Sequence, residues 1–105
     1  MRLFSDLYWG PKALAQKEMI LGLLRRRADF PGIYLITRAV DSDGLMDIYK
    51  LKAFYGKRVR EADPMVLGIA SGRPEALELS RQIVDELYHR KGDFDIDAFC
   101  DSGNP

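Results

Sequence analysis

The chain has 105 residues, a formal net charge of zero, 47% hydrophobic and 30% charged residues, and a single Cys. That is the make-up of one globular domain over 1–105, and it excludes a fibre, a disordered chain and a disulfide scaffold. No apolar run reaches bilayer length and MRLFSDLYWGPK lacks the apolar core of a signal peptide, so a cytoplasmic location is expected.

Residues 1–10 hold Leu3, Phe4, Leu7, Tyr8 and Trp9, a short aromatic segment that suits an extra strand, a helical turn or an arm laid on a partner. Gly10-Pro11 punctuates, and Pro11 fits a helix start because its missing N–H would be unpaired there. Ala15, Met19, Ile20, Leu23 and Leu24 then make a helical stripe, closed by Arg25, Arg26 and Arg27, cations that favour the negative end of the helix dipole. The helix should end before Pro31-Gly32.

Ile33 to Val40 (IYLITRAV) is β-branched and aromatic and predicts a strand. Asp41-Ser42-Asp43-Gly44 is turn chemistry. Residues 45–55 fit either period: Leu45, Ile48, Lys52 and Tyr55 mark a helical face, while Leu45, Tyr49, Leu51, Ala53 and Tyr55 alternate as a strand. The preceding turn favours a hairpin partner. Residues 56–63 (GKRVREAD) read as a charged connector.

Met65 to Gly92 is the most strongly specified stretch. Met65, Val66, Leu67, Ile69 and Ala70 predict a strand buried on both faces, and Gly68 within it marks a close approach by a neighbour. Ser71-Gly72 opens a turn, Pro74 starts a helix and Glu75 lies in its first turn. Ala76, Leu79, Ser80, Ile83 and Leu87, flanked by Leu77, Val84 and Tyr88, form a broad apolar face. Gly92 supplies the stop. Beyond it, Asp93 to Phe99 alternates acid and apolar residues and admits a short edge strand or a helical turn, and 101–105 reads as a loose tail.

The expected fold is thus α+β: a two-layer sandwich of order α-β-β-β-α with room for a short C-terminal strand, its two long helices on one sheet face. If 45–60 is helical, the order becomes αβαβα with a parallel strand pair.

No catalytic motif is legible, and neither enzymatic activity, cofactor nor metal is expected. The strand-to-helix turn Ser71, Gly72 and Arg73 offers N–H groups and a guanidinium to an anion or nucleotide. It lacks the Lys-Ser/Thr ending of a phosphate loop, the G-x-G-x-x-G spacing is absent, and Glu75 would repel a phosphate. Asp93, Asp95 and Asp97 fail the EF-hand pattern at Ala98 and Asn104. His89, the single histidine, and Cys100 belong to no nucleophile–base motif.

Residues 1–60 hold 12 Lys/Arg against 6 Asp/Glu and residues 61–105 hold 4 against 10. Arg25, Arg26, Arg27, Lys57 and Arg58 are therefore candidates for nucleic-acid contact, set against the expectation that the two halves interleave and their charges mix.

The stretches PGIYLITRAV and GIASGRPEALELSRQIVDELYHRKGDFDI resemble small uncharacterised proteins of Gram-positive bacteria. The resemblance implies a bacterial cytosolic protein. The first functional expectation is a non-catalytic interaction module, a homodimer or a subunit of an assembly. It rests on an uncovered sheet face and the aromatic N-terminal segment.

Overall fold

The computed structural model describes residues 1–91, with side chains to His89. The sequence expectations at 92–105, including the acidic alternation over 93–99, the tail and Cys100, lie outside the described residues. Strand β1 (Arg2–Trp9) leads into helices α1 (Pro11–Leu14) and α2 (Lys17–Arg26), then strands β2 (Ile33–Arg38) and β3 (Met46–Lys50). Short helices α3 (Leu51–Phe54) and α4 (Lys57–Ala62) return the chain to β4 (Met65–Ser71) and the long α5 (Arg73–Lys91).

The strands form one mixed sheet in the order β1-β4-β2-β3. β4 lies inside it, parallel to β1 and antiparallel to β2, and β2–β3 is an antiparallel hairpin with Ile36 opposite Ile48. The aromatic N-terminal segment is thus a strand paired in cis. Its partnership with β4 joins segments some sixty residues apart, which no local pattern could announce. Its register jumps from Leu3 opposite Val66 to Tyr8 opposite Gly68, so five steps along β1 match two along β4. The bulge buries Phe4, turns Ser5 and Asp6 to solvent, and blunts this sheet edge.

The layering departs from the two-layer expectation, because helices cover both sheet faces. Ala76, Leu79, Ile83 and Leu87 of α5 pack on Phe4, Ile36, Met65, Leu67 and Ala70. On the opposite face Ala13, Ile20, Leu23, Leu24 and Leu51 of α1, α2 and α3 pack on Ile33, Leu35, Val66 and Ile69. The physical reason is the apolar run Met65–Ala70, every residue of which is buried. A strand apolar on both sides needs a layer on each. The ambiguous stretch 45–55 also resolves as both readings in turn, strand to Lys50 and helix from Leu51. The alternative topology fails at its parallel pair, because β2 and β4 run antiparallel, and the parallel pair in the sheet is β1–β4.

Gly68 supplies the close contact that its place in a strand predicted. A Cβ there would stand 3.1 Å from Leu79 Cδ2, 3.2 Å from Ile83 Cδ1 and 3.4 Å from the Tyr8 carbonyl. It also marks a bulge, since Ile36 pairs with Gly68 but Thr37 with Val66. That slip lets Leu67 and Ala70 face α5 while Val66 and Ile69 face α2. Helix α2 ends at Arg27 in the left-handed conformation (φ 54°), with the Ala28 N–H donating to the Leu23 carbonyl at 2.9 Å.

Candidate functional site

Ser71, Gly72 and Arg73 do form the strand-to-helix turn, with Gly72 at φ +91°. The N–H groups of Ser71 and Gly72, however, already have acceptors. The Gly72 N–H donates to the Gly32 carbonyl at 2.7 Å, and the Ser71 N–H donates to Glu75 Oε2 at 2.7 Å. The same carboxylate accepts from the Lys12 N–H at 2.8 Å and the Ala13 N–H at 3.2 Å. Glu75 therefore bridges the turn before α5 and the first residues of α1. Burial opposes its ionisation, but the Ser71, Lys12 and Ala13 N–H donors and the Lys12 charge outweigh it and hold the carboxyl below its usual range. An internal anion, Glu75, takes the Ser71 N–H that the turn offers, together with those of Lys12 and Ala13. Arg73 is exposed, with no ionic partner among the described residues.

A second polar centre organises the β2–β3 connection. Asp47 Oδ2 accepts from the N–H groups of Val40 and Asp41, each at 2.7 Å. The Tyr49 hydroxyl donates to Asp41 at 2.7 Å and lies 3.0 Å from Asp47. Burial opposes ionisation of Asp47, yet the Ser42 hydroxyl, both N–H groups and Tyr49 together hold its carboxyl at about 2. Burial and the two carboxylates push the Tyr49 phenol well above its usual range. Asp41 is the turn former expected of it and also pairs with Arg58 at 2.8 Å. Asp47 and Tyr49 were hidden in the sequence because their roles depend on facing a loop that the hairpin folds back.

The basic candidates divide. Arg58 is tied to Asp41, and Lys57 lies 3.9 Å from Glu61. Arg25 and Arg26 are exposed in the last turn of α2. Arg27 sits over the Tyr55 ring at 5.3 Å and donates to the Tyr55 carbonyl at 3.3 Å, which fastens α2 to α3. Arg27 and Arg60 line one concavity of about 220 Å³ with Phe54, Val59, Asp63 and Pro64.

Helix α5 presents a stripe that the sequence had grouped with the core. Leu77 is 49% and Tyr88 51% exposed, and Val84 is half-buried. With Met46 of β3, Arg81 and Asp85 they border an open groove of about 440 Å³. It runs beside β3, one of the two edge strands of the sheet among the described residues. His89 pairs with Asp85 at 3.5 Å on the same helix. Among the described residues no group of three or more His, Cys, Asp or Glu is placed to hold a metal ion, and no helix is long and apolar enough to cross a membrane.

Comparison of the chain with protein-family models, curated proteins and solved structures found no match.

Proposed function

We propose that the protein is a non-catalytic interaction module whose docking surface is the groove between α5 and β3, and that the surface pairs with a second copy of the chain. The exposed Leu77–Val84–Tyr88 stripe beside an open strand edge carries this reading. Both sheet faces are covered and the N-terminal strand is paired in cis, so support for an assembly role rests on this groove. Unpaired strand backbone next to exposed apolar side chains is a common means of extending a sheet across two subunits. The groove is also suited to itself. It carries Arg81, which is paired with Glu78 at 2.6 Å, and Asp85, and an isologous contact can set this pair against Asp85 across a two-fold axis. A net charge of zero leaves no overall repulsion between copies.

Light scattering over a concentration series tests the proposal. The wild-type protein is expected to approach twice the monomer mass, and the Leu77→Asp/Tyr88→Ser double variant to remain a monomer with unchanged circular dichroism. A wild-type monomer at every concentration overturns the reading, as does a dimer that the double variant leaves intact.

A further inference from the structure

The fold sorts charge between its two faces. Helices α1, α2 and α3 pack on one side of the sheet, α4 adjoins α2 and α3 through Val59 and Arg60, and these segments carry the excess of cations. Residues 10–32 hold five Lys/Arg against two Asp/Glu, and residues 51–63 hold four against two. On the other side, residues 73–89 hold two against four. The halves interleave in the sheet, where β4 lies between β1 and β2, but the cation-rich helical segments are gathered away from α5.

We infer that the α2–α3–α4 face binds the phosphate backbone of a nucleic acid, with Arg25, Arg26, Arg27, Lys52 and Arg60 as its contacts. Several observations converge there. Arg25, Arg26, Lys52 and Arg60 are exposed, and none has an ion-pair partner among the described residues. The Tyr55 anchor brings the end of α2 against α3, and the Tyr55 phenol, raised chiefly by burial, feels the opposing charges of Arg27 and Arg26 as well as the reinforcing charge of Asp29. Arg27 and Arg60 then line a single concavity together with Phe54 and Val59. The acid in that concavity, Asp63, has cations of its own, Arg2 at 3.5 Å and the Met1 amino group at 3.7 Å.

Arginine predominates, and its planar fork matches phosphate oxygens. Cations from α2 and α4 that line one concavity suit a flexible strand of phosphodiesters that can follow it better than a planar layer of lipid headgroups. With no base-reading motif in view, the contact is expected to be indifferent to sequence.

Fluorescence anisotropy with a labelled 20-nucleotide single-stranded RNA and a duplex DNA of equal length, from 50 to 200 mM salt, tests the inference. Binding to at least one probe is expected, weakening steeply with salt by about 0.7 (single strand) or 0.9 (duplex) in the log–log slope per phosphate contacted. Arg25→Ala/Arg26→Ala and Arg60→Ala should each weaken binding on the order of tenfold or less and lower the slope. Arg25→Lys/Arg26→Lys, which keeps both charges but loses the planar fork, should restore the salt slope and recover part of the loss. Arg73→Ala, a cation on the other side of the sheet, should change nothing. Absent or salt-insensitive binding overturns the inference. So does binding that only Arg73→Ala weakens, or binding confined to phosphatidylserine vesicles. The assay is independent of the α5–β3 groove, so the dimer proposal and this one fail separately.

Discussion

Gly10 and Glu75 occupy adjoining space so tightly that a Cβ on Gly10 would overlap the Glu75 carboxylate. Gly10 has φ −66° and ψ 152°, a backbone open to any residue, so it is space and not conformation that calls for glycine here. The missing side chain lets Glu75 reach the N–H groups of Lys12, Ala13 and Ser71.

A double-mutant cycle follows from that contact. Glu75→Ala leaves three donors without their acceptor and should cost about 1–3 kcal/mol in urea denaturation. Gly10→Ala should cost a comparable amount by expelling the carboxylate. In the Glu75→Ala background, Gly10→Ala should be close to neutral, giving a strong coupling energy. Additive losses would show that the two residues act independently.

Asp47 should make stability depend on acid pH. Its folded pKa of about 2 lies below the ordinary carboxylate value near 3.8. A depressed carboxylate contributes its stability above the unfolded value and loses it as pH falls through the folded one. Asp47→Asn should therefore destabilise by roughly 1–2 kcal/mol at neutral pH, solvent screening of this half-buried group included. The gap to the wild type should close between about pH 5 and pH 2. Thermal melts over that range decide it, and a gap that stays constant would mean that shape rather than charge holds the loop.

Ile83 is fully buried against the sheet, whereas Gln82 beside it is exposed. Ile83→Ala should cost about 2–5 kcal/mol through lost contacts and a residual cavity. Gln82→Ala should leave the denaturation midpoint within about 0.5 kcal/mol of the wild type. Similar losses at both positions would reassign the buried face of α5.

Gly68→Ala should cost about 1–3 kcal/mol, because Leu79 Cδ2 and Ile83 Cδ1 lie 3.1 and 3.2 Å from the added methyl and neither is free to retreat. Ile83→Val removes one of those atoms, so the alanine should be better tolerated in that background. An unchanged cost would assign the strain to the backbone at the bulge.

What the sequence disclosed follows a physical divide between local and distant interactions. Strand β4, the turn at Gly72 and helix α5 were legible because apolar run, punctuation and helical period all occur within one contiguous stretch. Buried Ala76, Leu79, Ile83 and Leu87 confirm the predicted face, while exposed Leu77 and Tyr88 show that its flank extends beyond the sheet. Strand β2 was read two residues long because Asp47 captures the N–H groups of Val40 and Asp41 from across the hairpin. Helix α4 was invisible, since Val59 is its single buried residue and one apolar position sets no period. The anion-binding appearance of Ser71-Gly72-Arg73 came from genuine helix-start chemistry. Glu75 was visible as a repulsive charge, but its reach to α1 depended on the space left at Gly10. The basic face required knowing that α1, α2 and α3 share one side of the sheet and that α4 adjoins them.

Placing β4 between β1 and β2 also dictates the order in which the molecule can assemble. As the polypeptide leaves the ribosome, the β2–β3 hairpin can close on itself at once. Strand β1 emerges first, yet its hydrogen-bonding neighbour is synthesised some sixty residues later. Until then Phe4, Tyr8 and Trp9 remain on a strand without a sheet, the kind of segment that chaperones hold and that aggregates when they do not. Closure of the sheet is a late, long-range event, and refolding should be slow for a domain of this length.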